Sequence, residues 1–315
     1  MSAGKENKEE LKKKIAQLKK EKNALIMAHY YQREEIQEIA DFIGDSLALA
    51  RQAAKTDADI IVMCGVHFMG ETAKILCPDK KVLIPDTAAG CSLADSCDPV
   101  EFEKFVEEHP DHTVISYVNT SAAVKALTDI VVTSGNARQI VEKLPENEKI
   151  IFGPDHNLGE YINSVTGRNM LLWKGACHVH DRFSIEKILQ MKKEHPGAKI
   201  LVHPECRRPL QLIADKVGST AALLAFAQKD DAKEYIVVTE SGILFEMRKK
   251  CPEKTFLAAP AEDAECQCNE CDFMKLNTLE KVYKCLKDES PEIIVEDALA
   301  EKALLPIVKM LEMSE

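Results

Sequence analysis

Three cysteines lie at matching places near the ends of three diverged sequence units, and together their thiolates could hold a metal cluster. They are Cys91 in Ala88-Ala89-Gly90-Cys91, Cys177 in Gly175-Ala176-Cys177-His178, and Cys271 at the end of a Cys-Gln-Cys-Asn-Glu-Cys run. Soft thiolate ligands select iron–sulfur clusters or zinc. Distant single cysteines, one per unit, favour an iron–sulfur cluster. Three protein ligands in place of four would leave one iron open to a substrate.

The other cysteines have different interpretations. Cys268-x-x-Cys271 alone is also compatible with half of a zinc site or with a redox pair. Cys97 follows Cys91 closely and is a weaker ligand candidate. The remaining cysteines lie in apolar or helical contexts that are typical of small packed residues: Cys64, Cys77, Cys206, Cys251 and Cys285.

Polar residues follow the first apolar run of each unit, in pairs two positions apart. The pairs are His29 and Tyr31, Tyr117 and Asn119, and His203 and Glu205. Residues i and i+2 share a face of an extended chain, and ligands bind outside the carboxyl ends of parallel strands. A single residue of this kind is typical of a turn or a cap. Three matching pairs predict one site that all six side chains line.

Ser46, Ser134 and Thr220 stand at or near the starts of helical patterns. Helix capping is the ordinary role of Ser and Thr there. The free N–H groups of a helix start also bind phosphate or carboxylate. As a set within a repeat, the three hydroxyls indicate anion binding, which would let an acidic chain hold anionic substrates.

The elements that must position these residues are buried strands that alternate with helices. Continuous apolar runs such as 60–63 and 236–238 predict parallel sheets covered on both faces. The expected fold is α/β, with three similar α/β/α lobes around a pseudo-threefold axis. The predicted bounds are 1–94 with 272–315 for lobe I, 95–182 for lobe II, and 183–271 for lobe III. The helices of 272–315 should return to pack on lobe I.

Composition narrows the functions open to the chain. The net charge of −11 argues against nucleic acid as a partner, because nucleic-acid-binding surfaces are basic. No apolar run reaches the length of a membrane span, and the Lys/Glu-rich start lacks the apolar core of a secretory signal. We therefore expect a cytoplasmic protein without a membrane partner. In a reducing compartment, eleven cysteines indicate metal or redox use.

Short motifs that occur in order within residues 24–281 resemble the quinolinate synthases, the A proteins of bacterial and archaeal NAD biosynthesis. The motifs are Ala28-His29-Tyr30-Tyr31, Gly44-Asp45-Ser46, Gly90-Cys91-Ser92, Tyr117-Val118-Asn119, Thr133-Ser134-Gly135-Asn136, Gly153-Pro154-Asp155, Cys177-His178-Val179-His180, His203-Pro204-Glu205, Gly218-Ser219-Thr220 and Cys271-Asp272-Phe273-Met274-Lys275. The fold of that family, three α/β lobes, agrees with the repeat.

The resemblance implies a specific reaction and cofactor. Iminoaspartate would condense with dihydroxyacetone phosphate to give quinolinate, with loss of phosphate and two waters. One [4Fe–4S] cluster per chain would be held by Cys91, Cys177 and Cys271, and its open iron would act as a Lewis acid. The family's binding positions correspond to His29, Ser46, Tyr117, Asn119, Ser134, His203, Glu205 and Thr220. L-Aspartate oxidase or aspartate dehydrogenase would be a transient partner that supplies iminoaspartate.

Proton transfer in this reaction needs an acid and a base within hydrogen-bond reach, because it includes tautomerisation and dehydration. We expect Tyr31 to be the acid and Glu205 the base. A low-polarity site would raise the pKa of Glu205 toward neutrality, where base catalysis is most effective. His29 and His203 would hold substrate oxygens or exchange roles with these neighbours.

Two other interpretations stay open. One is a different hydro-lyase with an open-iron cluster, and the other is a non-catalytic iron–sulfur or zinc sensor. A sensor would need a partner surface or a DNA-binding element, and the sequence shows neither a basic patch nor a recognition helix. Some quinolinate synthases carry a proposed redox-switch pair before the last ligand. Here Cys266 and Cys268 precede Cys271, but Glu265 replaces a cysteine of the full pattern.

Overall fold

Each of the three predicted units folds around its own four-stranded parallel sheet. A computed structural model describes residues 2–262 and 269–315. In every sheet the strands lie side by side in the order second, first, third, fourth along the chain, and all paired strands are parallel. The predicted α/β class with three similar lobes is confirmed. The predicted residue bounds of the lobes stay a prediction.

Lobe I contains the first sheet and the helices around it. Its elements are α1 (Ser2–Glu21), β1 (Ala24–His29), α2 (Glu34–Ile39), β2 (Phe42–Gly44), α3 (Ser46–Ala53), β3 (Ile60–Cys64), α4 (His67–Leu76), β4 (Lys81–Leu83) and α5 (Ser92–Asp95). All residues of β3 are buried, as expected for a central strand of a parallel sheet covered on both faces. Ile15 of α1 is buried against this sheet, with Leu11 and Leu18 beside it.

Lobes II and III repeat the same succession. Lobe II has α6 (Pro99–Glu107), β5 (Thr113–Tyr117), α7 (Ala122–Lys125), β6 (Ile130–Val132), α8 (Ala137–Lys143), β7 (Ile150–Gly153), α9 (His156–Thr166) and β8 (Leu171–Leu172). Lobe III has α10 (Ile185–Glu194), β9 (Lys199–Val202), α11 (Arg208–Leu212), β10 (Lys216–Val217), α12 (Thr220–Lys229), β11 (Glu234–Val238), α13 (Ile243–Lys250) and β12 (Thr255–Ala258).

One aspartate in each lobe makes the repeat visible at the level of single hydrogen bonds. Asp41, Asp129 and Asp215 precede the second strands of their sheets. Each carboxylate accepts the backbone N–H of a residue in the first strand, at 2.8–2.9 Å. The backbone N–H of each aspartate donates back to the carbonyl of that same residue at 2.9 Å. The three lobes therefore share local structure as well as strand order.

The last two helices both pack on lobe I, and the second of them also packs on lobe II. They are α14 (Leu279–Asp288) and α15 (Asp297–Met313). Helix α14 lies against α1 and β3 of lobe I, whereas α15 lies against α4 of lobe I and against α7 and β6 of lobe II. Beyond α15, Ser314 accepts a hydrogen bond from Arg51 and another from Asn136. Among the described residues, no helix is both long and apolar enough to cross a membrane.

Candidate active site

The carboxyl ends of the three sheets open onto one cavity, in which the space not filled by protein atoms is about 690 Å³ when the open solvent at its mouth is included. The strands β1, β5 and β9 end at or just before the three predicted pairs, so each lobe contributes side chains from the same position. The cavity is lined by all of the predicted site residues: His29, Tyr31, Ser46, Cys91, Tyr117, Asn119, Ser134, Cys177, His203, Glu205, Thr220 and Cys271. Their common location is observed, and their chemical roles stay predictions.

The two strand-end histidines have the same local geometry. The backbone N–H of Tyr31 donates to Nδ1 of His29 at 3.2 Å, and that of Glu205 donates to Nδ1 of His203 at 3.4 Å. Because a backbone N–H can only donate, each Nδ1 accepts and the ring proton lies on Nε2. Burial lowers the pKa of both histidines to about 3, so both rings are neutral near pH 7. Nε2 of His203 lies 3.2 Å from the hydroxyl of Ser134.

Glu205 is a buried carboxylate held between two donors. The Tyr117 hydroxyl donates to Oε1 at 2.5 Å, and Nδ1 of His180 lies 3.0 Å from Oε2. Burial alone would raise the pKa of Glu205, but His180, His203 and these hydrogen bonds outweigh it and lower the pKa to about 2. The expectation of a raised pKa is therefore wrong, and Glu205 is ionised.

A chain of hydrogen bonds continues from Glu205 to Tyr31. Nε2 of His180 lies 2.9 Å from the Thr239 hydroxyl, which lies 2.7 Å from the Tyr31 hydroxyl. The Tyr31 hydroxyl is also 2.8 Å from that of Thr220. Burial raises the pKa of Tyr31 well above its usual value, and the charge of Glu205 adds to the rise, so Tyr31 keeps its proton. The predicted acid and base are thus connected through His180, to which sequence analysis gave no role.

The predicted hydroxyls are not the caps of the helices they precede or begin. Asp45 caps α3 and Ser219 caps α12, in each case one residue before the predicted hydroxyl. Ser46 and Thr220 are the first residues of these helices, where a side chain is not the cap. The hydroxyls of Ser134 and Thr220 bond to cavity side chains instead. Capping does not explain these residues, and anion binding stays a prediction.

Exposure separates the predicted metal ligands from the other described cysteines. Cys91, Cys177 and Cys271 are partly exposed and line the cavity, whereas six others are buried: Cys64, Cys77, Cys97, Cys206, Cys251 and Cys285. The cavity wall still encloses the thiols, and this burial raises the pKa of Cys91 to about 12 and of Cys271 to about 11. Thiols with such pKa values lose their protons when a metal binds. Cys266 and Cys268 lie outside the described residues.

One compact group of possible ligands lies in the same cavity. Within the described ranges, the Cys177 sulfur, a His180 ring nitrogen and a Glu205 oxygen lie within 4.8 Å of one another. Nδ1 of His180 lies 3.3 Å from the Cys177 sulfur and 3.0 Å from the Glu205 carboxylate. If this nitrogen carries a proton, hydrogen bonding accounts for the grouping without an ion. The three predicted cysteine ligands do not form such a tight group.

Residues that follow the cysteines line the cavity and contact one another. The Ser92 hydroxyl lies 2.5 Å from Nδ1 of His178. The His178 ring packs edge-on against Phe273, with 6.0 Å between ring centroids. Each of the three residues comes one or two positions after a different predicted ligand. The motifs that sequence analysis singled out contain all three, but the motifs alone gave them no role.

The chain is similar to quinolinate synthases over nearly its whole length. A family model described as Quinolinate synthetase A protein matches residues 13–312. The quinolinate synthase of Microcystis aeruginosa is 56% identical over 300 residues, which cover 95% of this chain and 94% of the relative. That of Chloroherpeton thalassium is 54% identical over 306 residues, covering 97% and 95%. That of Thermosynechococcus vestitus is 55% identical over 300 residues, covering 95% and 94%.

Adjacent hydroxyls at the start of α12 should differ in their effect on stability. Ser219→Ala removes the cap and should lower the free energy of unfolding by about 1 kcal/mol. Thr220→Val keeps the side-chain shape, and Tyr31 keeps its bond to Thr239, so we expect a loss of about 0.5 kcal/mol, the low end for a hydrogen bond. Urea unfolding of both variants measures the difference. Equal losses would show that the Thr220 hydroxyl is structural.

The buried histidines should make the protein less stable in mild acid. Their pKa values are about 3 in the folded state and about 6.5 when unfolded, so protonation favours the unfolded chain below pH 6.5. The free energy of unfolding should fall as the pH falls from 6.5, by up to about 1.4 kcal/mol per pH unit for each histidine. Urea unfolding at pH 7.0 and 5.5 measures this slope.

Replacing these histidines tests the origin of that slope. The double variant His29→Gln and His203→Gln should show a much weaker dependence on pH between 7.0 and 5.5. His67→Gln, at an exposed position, serves as the control and should keep the wild-type slope. An unchanged slope in the double variant would mean that other groups cause the loss in acid.

Proposed function

The chain belongs to the quinolinate synthetase A protein family of enzymes, and we propose that it condenses iminoaspartate with dihydroxyacetone phosphate to give quinolinate, phosphate and two waters. The observation that carries this proposal is the single cavity in which three strand-end pairs and three cysteines from three lobes meet. Iminoaspartate is an imine, which water hydrolyses. Delivery through transient contact with L-aspartate oxidase or aspartate dehydrogenase is therefore part of the proposal.

Neutral histidines and helix starts would hold the anionic substrates. The Nε2–H groups of His29 and His203 are donors that need no charge of their own. The first-turn N–H groups of α3 and α12, which begin at Ser46 and Thr220, carry the positive ends of the helix dipoles. The buried Oδ1 of Asn119 has no hydrogen-bond partner within the described residues, so it is free to accept from a substrate N–H or hydroxyl.

The cysteine set fits a [4Fe–4S] cluster better than it fits one ion. Cys91, Cys177 and Cys271 line one cavity from three lobes and are not grouped tightly enough for a single ion. Thiolates are the soft ligands that such clusters require. We assign one cluster per chain to these three residues. When bound, it supplies an iron without a protein ligand, which is a Lewis acid toward substrate oxygen or nitrogen.

Tyr31 and Glu205 would handle protons from opposite ends of one hydrogen-bonded chain. Tyr31 keeps its proton at neutral pH, so its hydroxyl is a donor for oxygen that departs as water. Glu205 is ionised and accepts a proton at Oε1 or Oε2 during tautomerisation. A carboxylate with a lowered pKa is a weaker base than one with a raised pKa. Its placement by Tyr117 and His180 therefore contributes more to its role than its basicity does.

Replacing a predicted ligand by alanine should remove the cluster and the activity together. Protein reconstituted without oxygen is analysed for iron and sulfide, and for quinolinate formed from the two substrates. We expect about four irons and four sulfides per wild-type chain, and loss of both in Cys91→Ala, Cys177→Ala and Cys271→Ala. Cys251→Ala and Cys285→Ala replace buried cysteines and should keep the metal and the activity. An iron-loaded, active Cys91→Ala variant would refute the assignment.

Tyr31→Phe and Glu205→Gln should keep the fold and the cluster but lose activity. Acid and base groups typically contribute 10²- to 10⁴-fold, so we expect kcat to fall by roughly that factor in each variant. Iron analysis and a melting curve confirm that each variant is intact before kcat is measured at saturating substrate. Turnover within a few-fold of wild type would move the acid or base role to His29 or His203.

A further inference from the structure

Two fully buried carboxylates contact the backbone of two of the predicted ligands, and the reaction as proposed makes no use of them. Oδ2 of Asp155 accepts the N–H of Cys177 at 2.8 Å. Oε1 of Glu240 accepts the N–H of Cys271 at 3.1 Å. Both carboxylate residues are 0% exposed. Aspartate and glutamate are rarely buried to this extent unless a partner requires it, so the two contacts call for an explanation.

The two carboxylates occupy the same place in their lobes. Strand β7 ends at Gly153 and strand β11 ends at Val238, and in each lobe the carboxylate comes two residues later. In lobes II and III the third strand of the sheet thus delivers an acceptor to the segment that carries the cysteine. In lobe I, β3 ends at Cys64 and the corresponding residue is Val66. The arrangement is therefore shared by lobes II and III.

Each carboxylate uses its second oxygen for another backbone N–H. Oδ1 of Asp155 accepts from Leu158 at 2.9 Å and so caps α9. Oε2 of Glu240 accepts from Gly242 at 2.7 Å. Two N–H donors, one on each oxygen, match a carboxyl group, which has two oxygens that can accept. An amide would turn its NH₂ toward one of the two donors and lose that bond.

Glu240 also joins the cysteine loop to lobe I. Nζ of Lys275 lies 2.8 Å from Oε1 of Glu240 and donates to the carbonyl of Tyr31 at 2.7 Å. Lys275 follows Cys271 closely, and its own N–H donates to the Cys271 carbonyl at 3.1 Å. The backbone of Cys271 is thus fixed on both sides, by Glu240 at its N–H and by Lys275 at its carbonyl.

We propose that Asp155 and Glu240 are positioning residues that hold the backbones of Cys177 and Cys271 in the arrangement that binds the cluster. This inference rests on the proposed function, because it takes both cysteines as ligands. The carboxylates act through the cysteines and take no part in proton transfer. Partners of this kind, one step away from the metal, typically change metal affinity by about 10- to 100-fold when they are replaced.

The test compares metal retention in Asp155→Asn and Glu240→Gln with that of the wild-type protein. Each protein is reconstituted without oxygen and then exposed to graded concentrations of an iron chelator, and the cluster absorbance is followed. We expect each variant to lose its cluster at a chelator concentration at least about 10-fold lower than the wild-type protein does. In the metal-free proteins, alkylation of Cys177 in the first variant and of Cys271 in the second should be faster than in the wild type.

Matched controls come from the aspartates that precede the second strands of the sheets. Asp129→Asn and Asp215→Asn make the same change in lobes II and III, at carboxylates that accept an N–H of the first strand. They should retain the cluster as the wild type does. The inference would be overturned if Asp155→Asn and Glu240→Gln fold, retain the cluster as the wild type does, and show wild-type rates of cysteine alkylation. If Asp155→Asn does not fold, Glu240→Gln decides. A wild-type protein that binds no cluster would refute the proposed function instead.

Discussion

The burial of the Glu205 carboxylate is the constraint on which the cavity depends. A charge removed from water requires donors that replace its hydration. These donors are the hydroxyl of Tyr117 on lobe II and the ring of His180, close to the second cysteine. His180 reaches Tyr31 of lobe I through Thr239. Satisfying one carboxylate of lobe III therefore ties the three lobes together and aligns the proton-bearing groups along one path.

The repeat made the fold and the contents of the cavity predictable. Parallel strands place their carboxyl ends at one edge of a sheet, so residues directly after equivalent strands must lie at equivalent places. His29 and His203 could be located on that basis, and the structure gives them matching hydrogen bonds. Sequence context also predicted which cysteines are packed in the core: Cys64 and Cys285 are buried in an apolar cluster, while Cys91 lines the cavity.

What the sequence did not reveal depends on contacts between distant segments. Asp155 contacts Cys177 and Glu240 contacts Cys271 across more than twenty positions of sequence, and no local pattern encodes these contacts. The pKa of Glu205 was expected to rise because burial alone was considered, and donors from another part of the chain reverse the direction. Local patterns specify which residues reach the strand ends, whereas their charge states depend on neighbours that only the folded chain provides.

A crystal structure of the iron-loaded protein, prepared without oxygen, tests the central claim most directly, because two overlapping sets of ligands share Cys177. The account predicts electron density for one cluster joined to the sulfur atoms of Cys91, Cys177 and Cys271, with His180 still bonded to Glu205. A single ion bound by Cys177, His180 and Glu205, with Cys91 and Cys271 left as free thiols, would contradict it.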